Sequence, residues 1–182
     1  MLTNHKRSSA RARSRSVTGG RPTSRLLLHS PLGPILAEYA QEGVRSLRFW
    51  PQGAHPPAGT RDASAPGDAL GRAIAAQLDE YFDGTRRSFD LPLAPGGTDF
   101  QRRVWEALAT IPFGEVRSYA QLAEMAGCPG GARAVGQANA RNPIPLVVPC
   151  HRVTAASGAL GGFSAGLDRK RWLLRHEGVA LR

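Results

Sequence analysis

Cysteine is nearly missing from this 182-residue chain, which has only Cys128 and Cys150. Two thiols cannot build a disulfide framework or a zinc site made mainly of cysteines. Isolated thiols suit a reducing compartment, so a cytoplasmic protein is expected. Lysine is as scarce: of 24 basic residues, all but Lys6 and Lys170 are Arg, the side chain whose planar fork matches phosphate. No apolar run approaches the roughly 20 residues of a membrane-spanning helix, and no apolar stretch near the start reads as a secretory signal. The 21 Gly and 14 Pro are too few for a low-complexity chain. With 41% hydrophobic and 21% charged residues, the chain can bury a sizeable core. Its length suits one ordinary domain or two small ones.

The net charge of +10 is unevenly spread. Residues 1–25 hold seven basic residues and no acid, and residues 26–99 hold six basic and nine acidic. Residues 100–182 hold eleven basic and five acidic. A basic second half points to a polyanion partner such as nucleic acid, although solubility alone also produces single-sign surfaces. Residues 1–24, rich in Arg and Ser, read as a disordered basic tail. That composition overlaps with transit peptides but lacks their amphipathic face.

Residues 25–50 read as strands. RLLLHS and ILAEYA around Pro31-Leu32-Gly33-Pro34 form an expected hairpin, and VRSLRFW is a third strand. Residues 51–67 read as a loop. Residues 68–82 carry Leu70, Ile74, Leu78 and Tyr81 or Phe82 at helical spacing, and residues 85–97 read as a short strand and then a linker. Thr98-Asp99-Phe100-Gln101 and Ser118-Tyr119-Ala120-Gln121 are capping boxes, each opening a helix. Gly127-Cys128-Pro129-Gly130-Gly131 breaks the second. A third helix is expected from Ala132 to about Arg141, stopped by Asn142-Pro143. Helix, Gly-containing turn, helix is the outline of a helix-turn-helix. Residues 144–154 read as an apolar strand or extended segment, residues 155–158 as a turn, and a last helix runs from about Gly166 to His176.

The third helix carries Ala132, Ala134, Gly136, Ala138 and Ala140, with Arg133, Gln137, Asn139 and Arg141 between and after them. So slim a helix fits a narrow groove, and it also fits close helix packing. Pro149-Cys150-His151-Arg152-Val153 is the sharpest chemical signal. A cysteine beside a histidine can be an activated nucleophile, whereas a free cysteine alone is more often a buried structural residue.

IPLVVPCHRV, preceded by RAVGQANARNP and followed by GALGGFSAGLDRKRWLLRHEG, closely resembles the O6-alkylguanine-DNA alkyltransferases, also called methylated-DNA–protein-cysteine methyltransferases. The resemblance is strong over residues 98–178 and loose over 25–97. It implies an α/β (α+β) protein. Residues 25–97 would form a sheet-and-helix domain with ribonuclease H-like topology, and residues 98–182 a winged-helix-like domain holding both the DNA-reading helix and the thiol. It implies that Cys150 accepts the alkyl group, that His151 takes the thiol proton through a water, and that Glu177 orients His151. Asn142 would brace the turn after the third helix, and Tyr119 would contact a 3′ phosphate and the base N3. Arg133 would enter the base stack, with Ala132, Ala134, Gly136, Gln137, Asn139 and Arg141 on the DNA-facing helix. Val153, Phe163 and Ser164 would line the base pocket.

The implied partner is double-stranded DNA containing O6-alkylguanine, met by a monomer, alone or clustered along the DNA, with no obligate protein partner and no cofactor. Some relatives hold a structural zinc among N-terminal cysteines and histidines. No cysteine precedes Cys128, so no metal is expected. Two rivals remain at this point: a DNA-binding module with an inert cysteine, and a cysteine hydrolase. Oxidation sensing is a weaker third.

Overall fold

The computed structural model describes residues 23–64 and 67–181. All but the last two residues of the basic segment 1–24 lie outside the described residues, and Ser24 already opens the first strand.

Strands β1 (Ser24–Leu28), β2 (Ile35–Ala40) and β3 (Gly43–Phe49) form an antiparallel meander. The hairpin register pairs Leu28 with Ile35 and Ser24 with Tyr39. The stretch expected to be all loop contributes β4 (Thr60–Asp62), which lies parallel to β1 and completes the sheet order β3-β2-β1-β4. Helix α1 (Ala69–Phe82) starts where Asp68 accepts a hydrogen bond from the Gly71 N–H at 2.8 Å. It buries Ile74, Leu78 and Tyr81, three positions of the stripe read from the sequence.

The short strand expected within residues 85–97 is not formed. Pro92 and Pro95 deny that stretch regular donors, and only a single bridge, Leu93 to Val44, joins it to β3. Gly43 makes this contact possible. Its φ is +139°, and a Cβ there would stand 2.4 Å from the Pro92 carbonyl oxygen.

Both capping boxes are present. Thr98 and Gln101 cap α2 (Asp99–Ala109), and Ser118 and Gln121 cap α3 (Tyr119–Met125). Helix α4 (Ala132–Ala140) follows the glycine-containing turn, and α5 (Leu167–His176) begins after Gly166. The indole of Trp105 on α2 donates to the Ala138 carbonyl at 2.9 Å, so a buried bond sets α4 against α2.

The extended reading of residues 144–154 needs correction. The chain turns at Pro145-Leu146, coils into a 3-10 turn over Cys150–Arg152, and becomes a strand only at β6 (Val153–Thr154), parallel to β5 (Arg117–Ser118). Pro145 and Pro149 supply no ladder donors, and the remaining N–H groups close locally. Cys150 N–H donates to Val148 at 2.8 Å and Arg152 N–H to Pro149 at 3.0 Å. Leu146 is buried with φ of 76°, a left-handed conformation that a leucine adopts only when its surroundings enforce it.

One contiguous core runs from Leu26 to Leu173 through both halves of the chain. Between the halves, Leu47 N–H donates to the Pro143 carbonyl at 2.8 Å, and Arg169 Nε donates to the Leu32 carbonyl at 3.1 Å. Gly43→Ala is expected to destabilise the protein by about 1–3 kcal/mol, because the added Cβ meets backbone and not a movable side chain. Denaturant unfolding measures it, and an unchanged midpoint would contradict the contact.

Candidate active site

The 3-10 turn carries Cys150, His151 and Arg152 in consecutive positions, all three buried. Cys150 is 2% exposed and His151 is fully enclosed. A strand would have sent neighbouring side chains to opposite faces; the tight turn instead brings both His151 and Arg152 to the end of α5. There Glu177, the residue after that helix, is buried as well.

Glu177 is the most heavily bonded group in the site. Its Oε1 accepts from His151 Nε2 at 2.8 Å, Arg152 Nη2 at 2.9 Å and the Tyr81 hydroxyl at 2.8 Å. Its Oε2 accepts from Arg152 Nε at 2.8 Å and the Gly114 N–H at 3.3 Å. Gly114 has φ of 80°, and a Cβ on it would approach the Glu177 carbonyl oxygen to 2.9 Å, so the close approach requires glycine. The third arm of the Arg152 fork, Nη1, donates to the Ile111 carbonyl at 2.6 Å. Burial alone would raise the Glu177 carboxyl. The bonds from His151 and Arg152, with the guanidinium charge, hold it well below the usual carboxylate range.

Burial pushes the Cys150 thiol up to about 11, against the opposing pull of Asn142 hydrogen bonding and the Lys170 charge. Burial also lowers the His151 imidazole, against the pull of Glu177. At neutral pH the pair therefore rests as thiol and neutral imidazole. A neutral imidazole bonded to an ionised carboxylate through Nε2 carries its proton there. Nδ1 is then a bare acceptor, and it is buried without a protein hydrogen-bond partner.

Asn142 joins the bend after α4 to the reactive turn. Its amide donates to the Val148 carbonyl at 2.7 Å, and its side-chain oxygen accepts from the Ile144 N–H at 3.0 Å. Tyr119 is half-buried at the start of α3. A Cβ on Gly161 would stand 3.1 Å from the Tyr119 hydroxyl, and one on Gly136 would stand 3.5 Å from its ring. The Phe163 ring meets the His151 ring edge-on at 6.5 Å between centroids. Val153 is buried and Ser164 exposed. Ser164 lines a cleft of about 620 Å³ between the sheet and this segment, with Leu47, Phe49, Pro143 and Arg169.

Helix α4 divides into two sides. Arg133, Ala134 and Gln137 are exposed, as is Arg141 just past its end, while Ala132 and Gly136 are half-buried. Asn139 departs from the sequence reading. It is 5% exposed, on the inner side with Val135 and Ala138, and its side-chain oxygen is buried without a protein hydrogen-bond partner. Gly136 borders the Tyr119 ring, so part of the small-residue pattern serves packing.

Three site residues escaped the sequence reading. Arg152 stands inside the PCHRV motif, where the pattern alone gives it no role. Lys170 is fully buried, and its ammonium donates to the Val153 carbonyl at 2.5 Å and the Gly162 carbonyl at 3.2 Å. Burial lowers it to about 8, opposed by Cys150. Its signal was its rarity, a lysine in a chain that otherwise uses arginine. Tyr81 had no signal that separates it from any core aromatic. Cys128, half-buried, lies in the turn between α3 and α4. Among the described residues, no three His, Cys, Asp or Glu gather as a metal site, and no helix is long and apolar enough to cross a membrane.

Residues 99–179 match the family model for the 6-O-methylguanine DNA methyltransferase DNA-binding domain. A methylated-DNA–protein-cysteine methyltransferase of Methanosarcina acetivorans is 44% identical over 84% of this chain and 96% of its own length. This chain belongs to the methylated-DNA–protein-cysteine methyltransferases. The namesake of Mycobacterium bovis is 47% identical over 82% of this chain and 89% of its own. The fold agrees with the crystal structure of Mycobacterium tuberculosis O6-methylguanine methyltransferase, at TM-score 0.74 and 41% identity over 86% of this chain and 93% of that one. The Mycobacterium tuberculosis OGT solved in complex with DNA is 44% identical, with TM-score 0.74 over 85% and 92% of the two chains. The methyltransferase is thus a mixed α+β protein that repairs alkylated DNA.

Glu177→Gln would leave the Arg152 guanidinium buried without a counter-charge. A loss of about 3–5 kcal/mol in folding stability at neutral pH is expected. Because the folded carboxyl sits below its unfolded value, the wild-type contribution is present above the ordinary carboxylate range and lost only as pH falls through the folded value. The two unfolding free energies should therefore converge toward strongly acid pH. A constant difference would contradict the ion pair.

Proposed function

We propose that Cys150 takes the alkyl group from O6 of guanine in duplex DNA, once per protein molecule. The observation that carries the reading is the enclosed trio of Cys150 thiol, neutral His151 with a bare Nδ1, and ionised Glu177. Cys150 gives its proton through a water to His151. The new imidazolium is stabilised by Glu177, the logic of a nucleophile–base–orienter triad with one inserted water. Sulfur attacks the alkyl carbon in line. The C–O6 bond breaks, its electron pair goes to the base, and the base takes up a proton to become guanine. Tyr119 acts at N3, and a backbone N–H near Ser164 offsets charge developing at O6. The product is a thioether. Nothing among the described residues is placed to displace it, since Cys128 belongs to the turn between α3 and α4.

A thiol 2% exposed cannot reach a base inside a duplex. The reading therefore includes extrusion of the nucleotide, at a cost of a few kcal/mol that falls for a poorly paired base. Arg133 fills the gap, and the exposed side of α4, with Ala134, Gln137 and Arg141 and half-buried Ala132 and Gly136, lies along the minor groove. Asn139 belongs to the same helix but sits on its inner side, away from the exposed face. Val153, Phe163 and Ser164 form the pocket wall, and Asn142 keeps the turn in place. In this reading residues 25–97 are a ribonuclease H-like unit and residues 98–182 a winged-helix-like unit whose α3 and α4 are the helix-turn-helix.

Incubating the protein with an oligonucleotide duplex containing O6-methylguanine should yield a protein heavier by one CH2, as a methyl replaces the thiol hydrogen. Cys150→Ala should remain unchanged in mass, and added substrate beyond one equivalent should persist. DNA binding without mass gain would favour an inert DNA-binding module, and repeated ester or peptide turnover would favour a hydrolase. Arg133→Ala should react normally with the free base yet lose about tenfold or more on duplex, the effect of about 1.4 kcal/mol. Equal losses on both substrates would sink the intercalating role.

A further inference from the structure

Tyr81 belongs to α1, 96 residues before Glu177, yet its hydroxyl donates to Glu177 Oε1 at 2.8 Å. That oxygen is the one His151 Nε2 also uses. The phenol is fully buried and its ring is fixed by Phe89 at 5.4 Å, His176 at 5.2 Å and Phe113 at 6.2 Å between centroids. His176 also contacts the Tyr81 carbonyl through Nε2 at 2.7 Å. Backbone and side chain of Tyr81 are thus pinned beside Glu177. Packing alone would be served by phenylalanine, the residue next in line at Phe82, so the hydroxyl has a job that packing does not explain.

We propose that Tyr81 is a positioning residue for the thiol chemistry: its hydroxyl holds Glu177 Oε1 and, by sharing that oxygen with His151, sets the basicity of the imidazole. This rests on the reading of His151 as the base. A donor on a carboxylate oxygen draws off negative charge and weakens its pull on an imidazolium. Burial keeps His151 neutral, and Tyr81 and Arg152, both donating to Oε1, temper the opposing pull of Glu177. The N-terminal half of the chain thereby supplies part of the reactive centre. The charged and titratable groups facing His151 are Glu177 and Lys170 from the α5 side, Arg152 and Cys150 from its own turn, and Tyr81 from α1 through Glu177. Phe163 faces it as an apolar edge.

The test is single-turnover methyl transfer by the full chain from the O6-methylguanine duplex, followed by intact mass between about pH 5 and 9. In Tyr81→Phe, Glu177 pulls harder on His151, so the acid limb of the rate should move up by about half to one pH unit. That is a three- to tenfold loss near the limb that disappears at alkaline pH. Replacing Tyr81 with a fluorinated tyrosine strengthens the donor at constant shape, and the limb should move down. It also serves if the phenylalanine variant folds poorly. A uniform loss at every pH, or limbs that do not move in opposite directions, overturns the proposal. A wild-type protein that takes up no methyl group overturns the reading beneath it, whereas an active wild type with unmoved limbs overturns this inference alone.

Discussion

A single buried carboxylate organises the protein. Removing a negative charge from water costs several kcal/mol unless charge and hydrogen bonds replace the lost hydration. Glu177 receives five donors, and they come from α1, from the turn at Gly114, and from the 3-10 turn after Pro149. Segments distant in sequence must all be in place for that charge to be tolerated. Folding of the two halves and assembly of the reactive centre are therefore one event. The Arg152 fork matters most, since it matches both carboxylate oxygens and spends its third arm on the Ile111 carbonyl.

The same enclosure decides how the thiol behaves at rest. Low polarity around Cys150 disfavours thiolate, and around His151 it disfavours imidazolium, so both stay neutral. A protonated, enclosed thiol is a poor target for oxidants, which attack thiolates. Reactivity then waits for a substrate that can use the proton transfer.

The wall beside the thiol is hung from α5. Lys170 gathers the carbonyls of Val153 and Gly162, and its neighbour Arg169 takes that of Ala165 at 2.9 Å while lying over the Phe49 ring at 4.7 Å. Adjacent positions on one helical turn thus hold residues 153–165 from inside and tie them to the sheet. Asn142 does the equivalent on the α4 side. The slimness of α4 leaves an exposed face of small side chains and an inner face that admits Tyr119 and Trp105 closely.

Much was legible from the chain alone. The hairpin, the stripe of α1, both capping boxes and the α4 stop follow from local rules, because period, cap and proline act within a few residues. The motif around Cys150 identified the family. What stayed hidden is non-local. Thr60–Asp62 became a strand because β1 had a free edge, and Cys150 entered a 3-10 turn because two prolines starved a strand of donors. Asn139 turned inward with Val135 and Ala138 because tertiary packing chose which face of α4 is buried. Tyr81 and Arg152 joined the site because a buried charge recruits whatever donors the packed chain brings within reach, and Lys170 because α5 carries it to the carbonyls of Val153 and Gly162. Sequence determined the chemistry available, a cysteine, a histidine and a glutamate in a recognisable pattern. Tertiary structure alone decided their protonation states and partners, because desolvation and hydrogen bonding depend on which distant atoms displace the water.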